Sequence, residues 1–137
     1  MIATAHDINT APVGRFLQGL GLRFIDVTGT RVEAELDATA EHHTPWGLVH
    51  GGVFATAIES VTSVGASVAV REHGRFAVGL DNVTDFVRSH RSGRLRVVAE
   101  ATHQGRTGQL WTAEITRDDG KLVARGRVRL QNVDLPG

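Results

Sequence analysis

Two glycines and one glutamate have the residue types and the spacing for chemistry on a carbonyl group. Gly51 and Gly52 are predicted to begin a long helix, where the first N–H groups lack partners and the helix dipole adds positive potential. Such N–H groups can bind a polarised carbonyl oxygen. Glu59 is the only ionisable residue between Gly51 and Val70, which suits it to acid–base work. The simpler interpretations are a tight helix entry for the glycines and an exposed or ion-paired glutamate.

The distance between these two features predicts that one chain is not enough. Glu59 follows Gly51 by eight residues, so the two lie about 12 Å apart along one helix. A reacting carbonyl needs its N–H donor and its attacking group each within about 3 Å. Antiparallel helices from two chains can supply both. A catalytic role for the pair therefore predicts a homodimer at minimum, with two equivalent sites.

Hydroxyl and imidazole groups near these residues allow further roles. Ser63 lies one helical turn after Glu59 and could hold the carboxylate or a water molecule, or it could simply fill the core. His42, His43 and His50 lie close together in sequence but lack the spacing and carboxylates of common zinc motifs. No metal site is expected, and His50 is expected to bond backbone at the helix entry.

A local basic segment is the second candidate for ligand binding. Guanidinium groups suit phosphate oxygens. The formal net charge of the chain is zero, so the segment favours a phosphorylated small molecule over a nucleic acid. A solvated strand end is the alternative for any single arginine. The segment contains Arg88, His90, Arg91, Arg94 and Arg96, with Arg106 and Thr107 in a later turn.

Hydrophobic periodicity predicts the elements that position these residues. A short helix capped by Thr10 precedes a β-hairpin and an irregular loop, after which the long helix begins. Four strands follow, and their short connections predict an antiparallel meander. In chain order, the predicted elements are strands at about 22–28 and 31–38, a loop at 39–50, a helix at about 51–72, and strands at about 76–87, 94–102, 108–116 and 121–131.

The predicted fold class is α+β. The long helix is apolar all round, which is typical of a buried helix. A flat sheet cannot cover its whole circumference, whereas a strongly curved antiparallel sheet wrapped around it can. The helix is long enough to cross a membrane, but Glu59 near its middle would make that costly. A membrane partner is therefore not expected.

Length and composition narrow the possibilities further. A chain of 137 residues predicts a single domain over residues 1–137. The absence of cysteine excludes disulfides, thiolate metal sites and cysteine nucleophiles. Residues 1–9 contain no basic region followed by an apolar run, so a cytoplasmic location is expected.

Four segments together resemble the hotdog-fold acyl-CoA thioesterases. They are residues 45–52 (PWGLVHGG), 59–60 (ES), 78–80 (VGL) and 86–89 (FVRS), and the element order is similar over about residues 10–131. The most similar subgroup is the phenylacetic-acid-degradation (PaaI-like) type, with the Arthrobacter-type 4-hydroxybenzoyl-CoA thioesterase. The resemblance implies hydrolysis of an acyl-CoA thioester with an aromatic or medium-chain acyl group. It implies no cofactor, since coenzyme A is part of the substrate, and a homodimer or homotetramer.

The resemblance also implies roles at matching positions. Glu59 would be the catalytic carboxylate, either as nucleophile or as general base for water. Gly51 would donate its N–H to the thioester carbonyl, with His50 beside that carbonyl. Ser63 matches a position where the family carries Ser or Thr that helps to place water. The implied substrate-binding residues, in regions that hold the acyl-CoA, are Gly52, Phe86, Arg88, Ser89, Gly105, Arg106 and Thr107.

One position departs from the pattern of the subgroup. Seven residues before Gly51, where Gln or Asn is usual, this chain has Thr44. The usual residue helps to polarise the carbonyl or to orient the attacking water, so Thr44 or nearby His43 would have to substitute. Phe86 occupies a place where some relatives are polar, which implies an apolar or aromatic acyl pocket.

Two other functions remain open at this point. One is a hotdog enoyl-CoA hydratase, although such enzymes typically pair a histidine with an acid around a different loop pattern. The other is a non-catalytic acyl-CoA-binding module of the same fold. Release of free thiol from an acyl-CoA distinguishes hydrolysis from both.

Overall fold

One long helix packs against a six-stranded antiparallel sheet in a computed structural model that describes residues 4–137. The predicted α+β class is therefore confirmed. The helices are α1 (Ala5–Thr10), α2 (Arg15–Leu20) and α3 (Gly51–Val70). The strands are β1 (Arg23–Val27), β2 (Arg31–Ala38), β3 (Arg75–Phe86), β4 (Gly93–Gln104), β5 (Gly108–Arg117) and β6 (Leu122–Asp134).

The strand order is β1-β2-β4-β5-β6-β3, which differs from the predicted meander at one strand. The β1-β2 hairpin and the β4-β5-β6 meander are confirmed. However, β3 pairs with β6 rather than with β4. The reason is that β2 already occupies that edge of β4, in continuous register from Arg31↔Glu100 to Ala38↔Gly93. Residues 87–92 therefore carry the chain from β3, at one end of the sheet, past β6 and β5 to β4.

Helix α3 is buried on one side only. Its other side, which includes Glu59, Ser63 and Ser67, is half-buried, so the prediction of burial all round is wrong for a single chain. By length and composition, the span Gly51–His73 could cross a membrane, but here it lies across the sheet as the core helix. The buried residues of α3 are Phe54, Ala57, Ile58, Val61, Thr62, Gly65 and Ala66.

The N-terminal region contains two short helices where one was predicted. Thr10 ends α1 instead of capping α2, and its hydroxyl donates to backbone carbonyls of the preceding turn. The cap of α1 is Thr4, whose side chain accepts from the backbone N–H of Asp7 at 3.2 Å. Gly14 occupies the N-cap of α2. Pro12 lies between the two helices, where it interrupts the helical hydrogen bonding.

Small residues let α3 approach the sheet closely. A Cβ atom at Gly65 would lie 2.5 Å from Cη2 of Trp111 and 2.8 Å from Cγ2 of Val32. Trp111 is completely buried, and its indole N–H donates to the side-chain oxygen of Gln109 at 2.9 Å. The indole therefore has little freedom to move away from the helix.

We expect Gly65→Ala to destabilise the fold. The added methyl group must displace Trp111 or Val32, and overpacking of this kind costs about 1–3 kcal/mol. Gly19→Ala is the matched control because a Cβ there meets nothing within 4 Å, and alanine favours an exposed helix by up to about 1 kcal/mol. The free energy of unfolding from chemical denaturation tests both. A Gly65→Ala protein as stable as Gly19→Ala would contradict this packing.

Candidate active site

The histidine at the start of α3 is fixed by a hydrogen bond to the helix backbone. Nδ1 of His50 accepts from the N–H of Gly52 at 2.8 Å, as expected for a histidine at the helix entry. An accepting Nδ1 carries no proton, so the neutral ring has its proton on Nε2. A Cβ at Gly52 would lie 2.9 Å from Nδ1. Gly52 therefore makes room for this cap, and its own N–H is already used.

The amide of Gly51 is left as the free donor of the helix terminus. The N–H of Val53 donates to the carbonyl of His50 at 2.9 Å, and Gly52 donates to the imidazole. Among the residues that the structure describes, the N–H of Gly51 has no acceptor. The ring of Phe86 packs so closely on Gly51 that a Cβ atom would collide with it. The helix N-terminus thus offers one free N–H next to the ring of Phe86.

The carboxylate of Glu59 lies half-buried between α3 and β3. The hydroxyl of Ser63 donates to Oε2 of Glu59 at 3.3 Å, so the predicted contact between these two is present. Opposite the carboxylate lies Gly79, where a Cβ atom would be only 2.6 Å from Oε2. Gly79 positions the carboxylate by leaving it space. Our sequence reasoning did not assign it this role, although a glycine inside a strand signals a close approach.

Glu59 and the helix N-terminus line different cavities of the single chain. Glu59 lines one cavity of about 450 Å³ against β3, together with Asn82, Thr84 and Phe86. It also lines one of about 410 Å³ under the N-terminal helices. His50 and Gly52 line a third, of about 550 Å³. This separation agrees with the distance of about 12 Å along the helix between Gly51 and Glu59.

The loop before α3 uses its polar side chains to hold its own shape. The hydroxyl of Thr44 accepts from the N–H of Trp46 at 3.3 Å, and the structure brings Thr44 into contact with neither Glu59 nor Gly51. Both ring nitrogens of His42 are bound to backbone groups. Nε2 of His43 contacts the carbonyl of Arg91. Within residues 4–137, no group of three or more histidine and acidic side chains could hold a metal ion.

The basic segment is only partly available for a ligand. Arg96 donates to Glu33 at 2.7 Å, which lowers the pKa of that carboxyl group. Arg94 donates to Asp118 at 3.2 Å. These two arginines are therefore not free of acidic partners, as a phosphate-binding cluster would require: Arg96 pairs with an acid of β2 and Arg94 with an acid of the turn after β5. Arg88 is exposed and donates one guanidinium N–H to a backbone carbonyl, and Ser89 is also exposed.

The turn at residues 105–107 is fixed by hydrogen bonds from a buried side chain of β6. Asn132 donates to the carbonyls of Gly105 and Arg106 at 3.1 and 3.2 Å. Gln109 links Asn132 to the carbonyl of Ala66 in α3. The side chains of Arg106 and Thr107 remain exposed. Sequence reasoning missed the buried Gln109 and Asn132, whose signal was an amide at an inward-facing position of an alternating strand.

Comparisons with known proteins agree with this geometry. A family model described as the thioesterase superfamily matches residues 47–124, more than half of the chain. The chain is 44% identical over 117 residues to the Rv1847 protein of Mycobacterium tuberculosis, covering 84% of each. It is 32% identical over 125 residues to the 1,4-dihydroxy-2-naphthoyl-CoA hydrolase of Escherichia coli, covering 91% of each. The chain therefore belongs to the thioesterase superfamily.

Solved structures confirm the hotdog fold. The thioesterase HI1161 from Haemophilus influenzae superposes with a TM-score of 0.91 at 26% identity, over 100% of this chain and 95% of that one. The M. tuberculosis protein superposes with a TM-score of 0.86 over 90% of this chain and all of its own. The long helix and the order of strands are thus those of the family.

We expect Gly79→Ala to lower thioesterase activity without unfolding the protein. The new methyl group would lie 2.6 Å from Oε2 of Glu59 and must push the carboxylate aside. A displacement of about 1 Å at a reacting group can cost about 100-fold in rate. The measurement is kcat/KM with a thioester substrate, with circular dichroism as a check on folding.

The control for this substitution is Gly14→Ala, where a Cβ atom meets nothing within 4 Å. This variant should keep the activity of the unaltered protein. Equal activity of the Gly79→Ala and Gly14→Ala proteins would show that the carboxylate position is unimportant.

Proposed function

We propose that this protein hydrolyses acyl-CoA thioesters to a free acid and coenzyme A, as a member of the PaaI-like subgroup. The observation that carries the proposal is the free N–H of Gly51 on the same helix as the cavity-lining carboxylate of Glu59. The likeness to a naphthoyl-CoA hydrolase over nearly the whole chain supports an aromatic acyl-CoA as substrate. The exposed ring of Phe86 supports an apolar acyl group.

The chemistry follows from these two groups. The thioester oxygen accepts the N–H of Gly51, which stabilises the negative charge that develops there. In one route, Glu59 removes a proton from a water whose oxygen bonds to the carbonyl carbon; the carbon–sulfur bond breaks, the acid leaves, and the thiolate of coenzyme A takes up the proton. In the other route, Glu59 attacks the carbonyl carbon directly, and the break of the carbon–sulfur bond releases the thiolate and leaves an acyl anhydride on Glu59. Water then hydrolyses the anhydride, which frees the acid and the Glu59 carboxylate, and the thiolate takes up a proton from that water. In this proposal, Nε2–H of His50 donates a second hydrogen bond to the oxygen, while Ser63 holds the carboxylate.

The active unit of the proposal is a homodimer. Strand β3 lies at the end of the sheet, so one of its edges has no partner strand among the described residues. Antiparallel pairing of β3 with the same strand of a second copy would satisfy that edge. It would also bring the half-buried side of α3 against its copy. The exposed apolar residues that favour this contact are Val78, Leu80, Val83 and Phe86.

In such a dimer, Gly51 of one chain faces Glu59 of the other, which removes the distance problem of the single chain. Arg88, Ser89 and the rigid turn at residues 105–107 form the proposed coenzyme A end of the site. Exposed guanidinium groups there match the charge of its phosphates. A homotetramer built from two dimers is part of the same proposal.

We expect Glu59→Gln to lower kcat/KM for acyl-CoA substrates by about 10²–10⁴-fold, the usual contribution of a positioned acid–base group. The amide keeps the size of the side chain but removes its charge. Thiol release from benzoyl-CoA and from aliphatic acyl-CoAs is the measurement. Activity within tenfold of the unaltered protein would remove Glu59 from the mechanism. Acyl-CoA binding without thiol release by the unaltered protein would favour the hydratase or the binding module.

The role of the Gly51 amide can be tested by deleting that single N–H. Proline is well tolerated at the first helical position, and Phe86→Ala makes room for the ring beside Gly51. In the Phe86→Ala background, Gly51→Pro should lower kcat by about 10²–10³-fold. Gly51→Ala in the same background keeps the N–H and is the matched control. Equal kcat values for the proline and alanine proteins would contradict an oxyanion role.

A further inference from the structure

Arg71 has two buried guanidinium nitrogens that donate to no described residue. It directly follows α3, and its Nε and Nη1 atoms are buried and make no hydrogen bond with any residue that the structure describes, although the residue as a whole is half-buried. Arginine stays charged at any physiological pH, so it cannot avoid this cost by losing its proton. Buried N–H groups of a charged side chain are unfavourable when they lack acceptors. The position therefore favours an anionic acceptor that the single chain does not provide.

The acids nearest in the fold are already engaged or point to solvent. Asp134 accepts from Nε of Arg75 at 3.2 Å, and the other guanidinium nitrogens of Arg75 donate to backbone carbonyls. Glu72 is exposed. Arg71 and Arg75 thus differ sharply, because one guanidinium is fully used within the fold and the other is not.

Arg71 lines a largely apolar cavity of about 440 Å³. This cavity shares Ser63 and Val64 with the cavity of about 410 Å³ that Glu59 lines. The two cavities therefore adjoin and form one surface along α3 between the carboxylate and the guanidinium. The remaining residues of the cavity around Arg71 are Ser67, Val68, Arg75, Phe76 and Leu135.

The length of this surface suits an extended acyl chain. Glu59 and Arg71 are twelve residues apart, about 18 Å along the helix axis. The long side chain of arginine can extend along the cavity and cover part of that span. Apolar walls fit methylene groups, and a guanidinium at the far end fits a carboxylate, which it can bind with two parallel hydrogen bonds.

We propose that Arg71 binds a carboxylate at the far end of the acyl group, so that the preferred substrates are monothioesters of dicarboxylic acids with coenzyme A. This inference rests on the proposed function and specifies its substrate class. Arg71 is then a specificity residue that takes no part in the cleavage of the thioester bond. An alternative partner is a carboxylate from a second copy of this chain, which the stability measurement below distinguishes.

The test compares matched pairs of thioesters. Adipoyl-, suberoyl- and sebacoyl-CoA are assayed against hexanoyl-, octanoyl- and decanoyl-CoA with the unaltered protein, Arg71→Met and Arg71→Lys. The control is Arg129→Met, at an exposed arginine of β6 that lines none of these cavities. A hydrogen-bonded charge pair contributes about 1.5–3 kcal/mol, or about 10- to 100-fold in kcat/KM. The unaltered protein should prefer one or more dicarboxylyl substrates by this factor. Arg71→Met should lose the preference, Arg71→Lys should keep part of it, and Arg129→Met should keep it all.

A second measurement does not depend on activity. Suberate should raise the melting temperature of the unaltered protein more than octanoate does, and this difference should vanish in Arg71→Met. Without ligand, Arg71→Met should melt at the same temperature or higher, because two buried N–H-bearing nitrogens without acceptors have been removed. A lower melting temperature or a loss of oligomer would assign Arg71 to a contact between copies and overturn the inference.

The remaining outcomes separate this inference from the proposed function. Hydrolysis of both series without a preference for dicarboxylyl substrates would overturn the role of Arg71 and leave the thioesterase assignment intact. If no thioester were hydrolysed, the proposed function would fail. The suberate shift would then still decide whether Arg71 binds a carboxylate.

Discussion

The rigidity of one α-helix constrains the whole site. Gly51 and Glu59 are fixed about 12 Å apart by the rise of α3, and no side-chain movement can bring the backbone amide of one to the carboxylate of the other. In the single chain, the residues on either side of Gly51, His50 and Gly52, accordingly line a different cavity from Glu59. The half-buried side of α3 and the free edge of β3 are two further features of the single chain. The homodimer proposed above would account for all three.

Three glycines act by leaving space, and none of them has a positive φ angle. Gly65 admits the indole of Trp111, which seats α3 on the sheet. Gly79 admits the carboxylate of Glu59, and Gly51 admits the ring of Phe86. The close packing of α3 on the sheet, the position of the carboxylate and the position of Phe86 beside the free amide therefore each require glycine. A Cβ atom at any of the three positions would occupy the space of the neighbouring side chain.

Local patterns in the sequence predicted the long helix and the six strands. They also singled out the start of α3 and Glu59 as the two parts of the candidate site. The alternation in β2, the apolar run of α3 and the contact of Ser63 with Glu59 are all present in the structure. The pairing of β3 with β6 was not predictable, because strand partners distant in sequence leave no local signal. Helix α1 has only six residues and no buried side chain, so it lacks the periodicity that reveals longer helices.

The ion-pair partners of the arginines could not be predicted from the sequence either. Arg94 and Arg96 looked like a free basic cluster until the register of β2 with β4 placed them among the acids of the neighbouring strand. The lack of a partner at Arg71 is likewise a property of the tertiary packing. The single domain over residues 1–137, the cytoplasmic location, the homotetramer and the roles of individual site residues stay predictions.

We propose that each active site combines Gly51 of one chain with Glu59 of another. The most direct measurement uses a heterodimer of two inactive chains that both carry Phe86→Ala, one also with Glu59→Gln and the other also with Gly51→Pro, isolated through two different affinity tags. Such a dimer contains one site with both Gly51 and Glu59 and one site with neither. About half of the activity of the Phe86→Ala homodimer is expected per dimer, since one of the two equivalent sites is restored. A heterodimer as inactive as its parents would contradict the shared site.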